Sequence, residues 1–224
     1  MPSGTLYIVA TPIGNLEDIS YRAVRILSEV DLIAAEDTRQ TKILLERFHI
    51  HKSLISYHNF NERQRSTQLV QKLKDGASIA LVSDAGTPGI SDPAYLIVHD
   101  AIKEQIPVIP IPGASAFLAA LVVSGMPMEK FVYEGFLPHK KGRKSRLEKL
   151  GQEDRTIILY ESRHRLQRTL RDILAILGDR DIVIARELTK KFEEVLRGKT
   201  SELLGRILTR ALKGEFVIVI SPEI

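Results

Sequence analysis

Short runs of aliphatic and β-branched residues alternate along the chain with stretches whose apolar positions recur every three or four residues. Runs of the first kind suit strands buried on both faces, and stretches of the second suit helices with one inward stripe. The alternation predicts an α/β protein in which parallel strands are crossed over by helices. In the first half, strands are predicted at 5–10, 32–35, 54–57, 79–82 and 108–111. The spacing of Ala23, Val24, Ile26, Leu27 and Val30 marks one helix face, and further helices are predicted over 41–48, 62–74 and 94–103. Gly76 can end the third of these in the left-handed conformation. Asp92 followed by Pro93 reads as an N-cap and a first-turn proline, which would fix the start of the fourth.

The stretch 115–124 is helical in pattern and almost free of charge, so it is predicted to be buried and to mark a domain junction, with residues 1–113 and 114–224 forming two α/β domains. The second half continues with a strand at 131–136, a basic helix near 143–150, a strand at 156–160, a helix over 166–177 and a strand at 182–185. The pair 182–188 and 192–197 is close enough for a hairpin; a helix over 201–212 and a strand at 216–220 follow.

Composition narrows the chemistry. The 224 residues contain no cysteine, which excludes disulfides, thiolate zinc sites, iron–sulfur clusters and cysteine nucleophiles. No apolar run approaches the roughly 20 residues that span a bilayer, and the N-terminus has no secretory pattern, so a cytoplasmic location is expected. The histidines, among them His49 and His51, show no zinc spacing, and no metal site is expected. The net charge is only +4, but it is concentrated. Lys140, Lys141, Arg143, Lys144, Arg146 and Lys149 face a single Glu148, and a second cluster holds Arg163, Arg165, Arg168 and Arg171. A solvated helix face usually carries mixed signs, whereas these runs are nearly single-signed and suit phosphate. The segment 140–146 is therefore predicted to be a mobile arm that grips RNA.

Three loops rich in glycine and proline follow predicted strands: Thr11-Pro12-Ile13-Gly14-Asn15, the stretch 84–92, and Pro112-Gly113-Ala114-Ser115. Loops beyond the carboxyl ends of strands are where open parallel sheets bind ligands. The first offers a single glycine where a dinucleotide fold needs three, and none is followed by the Lys-Ser or Lys-Thr of a P-loop. Neither NAD nor ATP is favoured.

Taken together, TPIGNLEDIS (11–20), AAEDTRQTKILL (34–45), SDAGTPGISDPAY (83–95), PIPGASAFLAALVVSG (110–125) and GFLPHKKGRK (135–144) resemble the ribosomal RNA small-subunit methyltransferases, a branch of the tetrapyrrole methylase fold family. The resemblance runs in order from Thr5 to about Ile220. It implies two α/β domains with S-adenosylmethionine in a cleft between them, usually a homodimer, and 2′-O-methylation of a cytidine in the decoding region of the RNA of the small ribosomal subunit. It also implies that Ala85, Gly86, Thr87 and Ile90 lie against the methionine and sulfonium part of the cofactor, with Pro12 at the cleft floor and Ser115 and Ala116 nearby. Tyr160, Leu188 and Glu215 would surround the adenosine end. Tetrapyrrole-specific members commonly read Gly-Gly-Asp where this chain has Ala85-Gly86-Thr87, a departure that favours the RNA branch. Relatives in that branch are expected to continue for several tens of residues past the last strand; this sequence ends at Ile224, as a short form or a truncated one.

In-line methyl transfer needs alignment above all, with a smaller contribution from a base for the ribose hydroxyl. Candidates for that proton are Asp84, Glu36, Asp37 and Glu161, with Arg39 available to hold a phosphate. Each acid has a second reading: Asp84 as the cap of a turn, Glu36 and Asp37 as caps of the next helix. Tyr57, His58, Asn59, Phe60 and Asn61 follow the third strand and would either stack on an unpaired base or plug a loop. Two rival functions stay open on the sequence: a methylase of the same fold acting on a tetrapyrrole or other small molecule, and an RNA-binding protein without catalysis.

Overall fold

Strand direction is what places this protein's functional loops. A computed structural model describes residues 3–210 and 213–222, and the chain divides into two units, Met1–Ser115 and Ala116–Ile224.

The first unit holds β1 (Leu6–Val9), β2 (Leu32–Ala35), β3 (Leu54–Ser56), β4 (Ile79–Val82) and β5 (Val108–Ile111) in the order β3-β2-β4-β1-β5. All four pairings are parallel, since a helix or helical turn returns the chain before each new strand. The helices are α1 (Tyr21–Glu29), α2 (Thr38–Arg47), α3 (Glu62–Lys74) and α4 (Tyr95–Lys103), with a short 3-10 turn at Leu16–Asp18. Successive strand residues feed opposite faces, as the period of two demands. Ile79 and Leu81 join the core beneath α3 and α4, whereas Ala80 and Val82 join the core beneath α1 and α2. Ser20 caps α1 by accepting the Ala23 N–H at 3.1 Å, and α3 stops where Gly76 takes φ +97°. The expected start of α4 at Pro93 is corrected: the helix begins at Tyr95, and Asp92 does not cap it because its carboxylate turns back to the Ser83 hydroxyl.

Because the sheet is wholly parallel, the carboxyl ends of all five strands open on one edge. The three glycine-proline loops follow β4, β1 and β5, which are side by side in the sheet.

In the second unit, α5 (Ala116–Ser124), β6 (Phe131–Phe136), α6 (Arg143–Gly151), β7 (Thr156–Ser162), α7 (Leu166–Leu177), β8 (Asp181–Arg186), β9 (Glu194–Lys199), α8 (Thr200–Leu208) and β10 (Glu215–Ile220) follow in turn. The sheet order is β6-β7-β10-β8-β9. Here the expectation of parallel strands fails for most of the sheet. Only β6 and β7 are parallel; β8 and β9 form the predicted hairpin, and β10 inserts antiparallel between β7 and β8. Helices α6, α7 and α8 cover one face, with Leu147, Leu170 and Leu203 in its core, and α5 covers the other through Ala120 and Leu121. The predicted burial of α5 is also corrected: a lone helix on its face turns one side inward, and Leu118, Val122 and Val123 stay exposed. Helix α8 ends at Leu208, and positions 211 and 212 of its predicted extent lie outside the described residues.

Candidate active site

The loop after β4 is shaped by three left-handed residues, Gly86 (φ +87°), Gly89 (+89°) and Ser91 (+68°). A non-glycine residue held there is strained by about 1 kcal/mol or more, a cost that persists where surrounding structure enforces it. Main-chain bonds join this loop to its neighbours. Thr11 N–H donates to Gly86 O at 2.8 Å and Gly86 N–H to Thr11 O at 3.0 Å, while the buried Thr11 hydroxyl donates to Ser83 O at 3.1 Å. The Thr87 hydroxyl donates to Ala114 O at 3.2 Å, tying in the loop after β5. That loop approaches β1 so closely that a Cβ on Gly113 would sit 2.9 Å from the Ala10 Cβ. Pro12 is buried beneath, while Ala85 is exposed and Ile90 half-buried. The three loops thus form one interlocked rim, as glycines that permit close main-chain approach allow.

Four carboxylates gather beside it, brought together by the adjacency of β2 and β4. Asp84 Oδ1 accepts the Asp37 N–H at 2.9 Å, and Asp84 N–H donates to Glu36 Oε2 at 3.4 Å. Burial pushes the Asp84 carboxyl upward, with the Asp37 charge adding to it. Burial likewise raises Glu36, against the Asp84 N–H that it accepts and with a smaller push from the Asp84 charge. Asp92 is moved furthest, to about 7, by burial and then by the charges of Glu36 and Asp84. Asp37 differs from all of these. Its Oδ1 caps α2 by accepting the Arg39 N–H at 2.8 Å, Arg39 Nη2 meets its Oδ2 at 2.6 Å, and the guanidinium holds the carboxyl down to about 2. This capping is the second reading offered for Asp37, and it makes Asp37 the weakest proton acceptor of the set. Arg39 is correspondingly occupied by that carboxylate, although its side chain is exposed.

The residues assigned to the second unit lie on β7, β10 and α5, with Leu188 in the loop after β8. Tyr160 accepts the Phe117 N–H at 3.2 Å and makes edge contacts with Tyr133 and Phe136. Leu188 packs on the same apolar face, held between Glu187 and Thr189, both left-handed at φ +48° and +67°. Ala116 opens α5 and packs partly against that cluster, whereas Glu215 is exposed and paired with Lys190 at 2.9 Å. Glu161 is corrected. It is buried, accepts from Thr169 Oγ1 at 2.5 Å and Ser162 N–H at 2.7 Å, and lies 3.4 Å from Arg165 Nε, so it is an interior anchor and not an accessible base.

The basic segment is corrected as well. It is no mobile arm: α6 starts at Arg143, and Arg143 is buried, with Nε on Asp172 at 2.7 Å, Nη2 on Thr169 Oγ1 at 2.7 Å and Nη1 on Pro138 O at 3.4 Å. Arg165 donates to Leu137 O and Arg168 to His139 O at 3.4 Å, so the turn is fastened from behind. What it presents to solvent is Lys140, Lys141 and Lys144, with Arg146 half-committed to Glu134.

S-adenosylmethionine fits the rim on two observations of this structure. The Ser115 hydroxyl is a buried polar atom with no partner among the described residues, and the loops around it are closely packed at Gly86 and Gly113, where a Cβ would meet Ile13 Cγ2 at 3.4 Å and Ala10 Cβ at 2.9 Å. Among the described residues no cluster of acids and histidines suits a metal ion.

A sheet that ends in such loops, followed by a second α/β unit, defines a class. Residues 5–204 match the family of Tetrapyrrole (Corrin/Porphyrin) Methylases, and the chain belongs to it. It is a methyltransferase. It is 54% identical over 218 residues, 97% of this chain and 75% of the relative, to the "Ribosomal RNA small subunit methyltransferase I" of Halalkalibacterium halodurans. With the protein of the same name from Thermotoga maritima it shares 49% over 220 residues, covering 98% of this chain and 99% of that one. Among solved structures it resembles a diphthine synthase (TM-score 0.76, 16% identity, 97% of this chain and 90% of the other). It also resembles a uroporphyrin-III-C-methyltransferase from Thermus thermophilus (TM-score 0.70, 17% identity, 97% and 94%). At that identity these two speak for the fold alone.

Proposed function

We propose that the protein transfers the methyl group of S-adenosylmethionine to the ribose 2′-hydroxyl of a cytidine in the decoding region of small-subunit ribosomal RNA. The observation that carries this reading is the interlocked, glycine-lined rim without a phosphate-binding lysine, in a chain about half identical over nearly its full length to proteins named for that RNA. When bound, the cofactor supplies a methyl carbon made electrophilic by its sulfonium. Ala85, Gly86, Thr87 and Ile90 would hold its amino-acid end through the main chain, with Pro12 beneath and Ser115 donating its unused hydroxyl hydrogen. Ala116 would lie near the cofactor beside Ser115, and Tyr160, Leu188 and Glu215 would hold the nucleoside end. Orientation of this kind is worth up to about 7–11 kcal/mol of barrier.

Asp84 would take the 2′ proton on its carboxylate, fixed by the Asp37 N–H and poised by its raised affinity for a proton. Glu36 would steady it through the Asp84 N–H. The lysines of the 140–144 turn would meet phosphate. The protein would work in the cytoplasm as a homodimer, a state that the exposed α5 side chains Leu118, Val122 and Val123 support. The decisive experiment incubates the protein with small ribosomal subunits and methyl-labelled cofactor, then maps the label; label on a base or on no RNA at all ends this reading. Asp84→Asn should lower the rate about a hundredfold with cofactor saturating. Nearly full activity would move the base elsewhere.

A further inference from the structure

The aromatic loop after β3 divides into one buried ring and one exposed ring. Tyr57 is the plug: it is fully buried among Leu69, Ile97 and Ala94, and burial pushes its hydroxyl up to about 12. Phe60, three residues on, is 98% exposed. It is not loose. Asn61 accepts the His58 N–H at 2.9 Å and donates to Ser56 O at 3.3 Å, and Asn61 N–H closes the turn on His58 O at 2.9 Å. The ring is propped edge-on by His58, 6.0 Å between centroids.

The same arrangement recurs next door. Helix α4 packs beside α3, with the Ser66 hydroxyl donating to Asp100 Oδ2 at 2.7 Å, and both helices begin at the carboxyl edge of the sheet. The first residue of α4, Tyr95, is 73% exposed and backed by His99 in a stacked pair at 5.6 Å and 24°. Two flat rings, each braced by a histidine, therefore stand at neighbouring helix starts on the edge that carries Asp84 and the glycine rim. Arg63 and Arg65 follow Phe60 in the first turn of α3 against one acid, Glu62.

We infer that Phe60 and Tyr95 form a stacking platform for unpaired bases of the RNA substrate, holding nucleotides beside the one presented for methylation; this rests on the proposed RNA activity. Every base has a π-face, so stacking recognises an unpaired nucleotide without regard to sequence, and arginines nearby meet its phosphates. A protein partner would need contiguous apolar area, whereas Asn59 and Asn61 interrupt this surface.

The test uses the full-length protein with two probes, an RNA hairpin with an unpaired loop and a fully paired duplex of the same length. Phe60→Ala should weaken binding of the hairpin about five- to a hundredfold, Tyr95→Ala somewhat less, and Phe60→Trp should restore it. Duplex affinity, the salt slope of binding and calorimetric affinity for S-adenosylmethionine should not change. Equal hairpin affinity for Phe60→Ala and wild type, with wild type methylating small subunits normally, overturns the platform and leaves the activity standing. Failure of the wild type to methylate small subunits or to bind either RNA overturns both. A change of oligomeric state on sedimentation of Phe60→Ala would reassign the surface to a second copy of the chain.

Discussion

Asp92 offers a sharp test of the acidic cluster because its stability effect should reverse the usual rule for carboxylates. In the folded protein its carboxyl titrates at about 7 instead of the 3.8 of a free aspartate. Burial is the first cause and the charges of Glu36 and Asp84 the next. Between those two values the folded state binds a proton that the unfolded chain has already released, so stability falls as pH rises through that window. At about 1.36 kcal/mol per pH unit the full loss would approach roughly 4 kcal/mol. Water still reaches part of the group, which reduces the figure to about 2 kcal/mol. Asp92→Asn is close to isosteric, keeps an acceptor for Ser83 and removes the titration. It should be neutral at pH 4 and stabilising by about 2 kcal/mol at pH 8, a gain of roughly 4–8 °C in melting temperature for a chain of this size. Thermal melts of both proteins at the two pH values measure this directly. A variant that melts with the wild type at pH 8, or below it, would show that Asp92 is ionised at no cost and that the four carboxylates do not crowd one another.

Three further outcomes are expected. Arg143→Ala should destabilise the protein by about 3 kcal/mol, because it removes a buried guanidinium that joins Asp172, Thr169 and the Pro138 carbonyl, whereas Lys144→Ala should melt within about 0.5 kcal/mol of wild type; urea unfolding separates them. Neutralising Lys140, Lys141 and Lys144 together should weaken RNA binding and lower its salt slope by about 2, read from titrations at several ionic strengths, and an unchanged slope would remove the turn from the RNA surface. Gly86→Ala should cost about 1–2 kcal/mol through its left-handed φ and, with the new Cβ 3.4 Å from Ile13 Cγ2, reduce calorimetric affinity for S-adenosylmethionine.

The regular elements were readable where local signals act alone. Helix α3 occupies the predicted 62–74, and β2, β4, β5 and β6 fall at their predicted limits, because apolar spacing and a terminating glycine are written into adjacent residues. Strand direction is not local. Nothing in 216–220 says that β10 will run antiparallel between β7 and β8, so the mixed character of the second sheet emerges only from pairing. Asp92 stayed hidden for the same reason. An Asp-Pro pair reads as a helix start, and only the adjacency of β2 and β4 brings Glu36 and Asp84 against it. Arg143 did carry a signal: it stands four and seven residues before Leu147 and Leu150, on the inward stripe of α6, where its charge drew attention away from its spacing.

The fastening of the 137–142 turn bears on how RNA would be captured. Three arginines grip its carbonyls from the inner side, so its lysines stand at the end of a short, stiff bracket. A flexible tail would surrender conformational freedom on contact with its target, and much of the electrostatic attraction would be spent on that ordering. This turn has already lost that freedom during folding, so its encounter with phosphate resembles the closing of a latch, with the entropic toll met before the partner arrives.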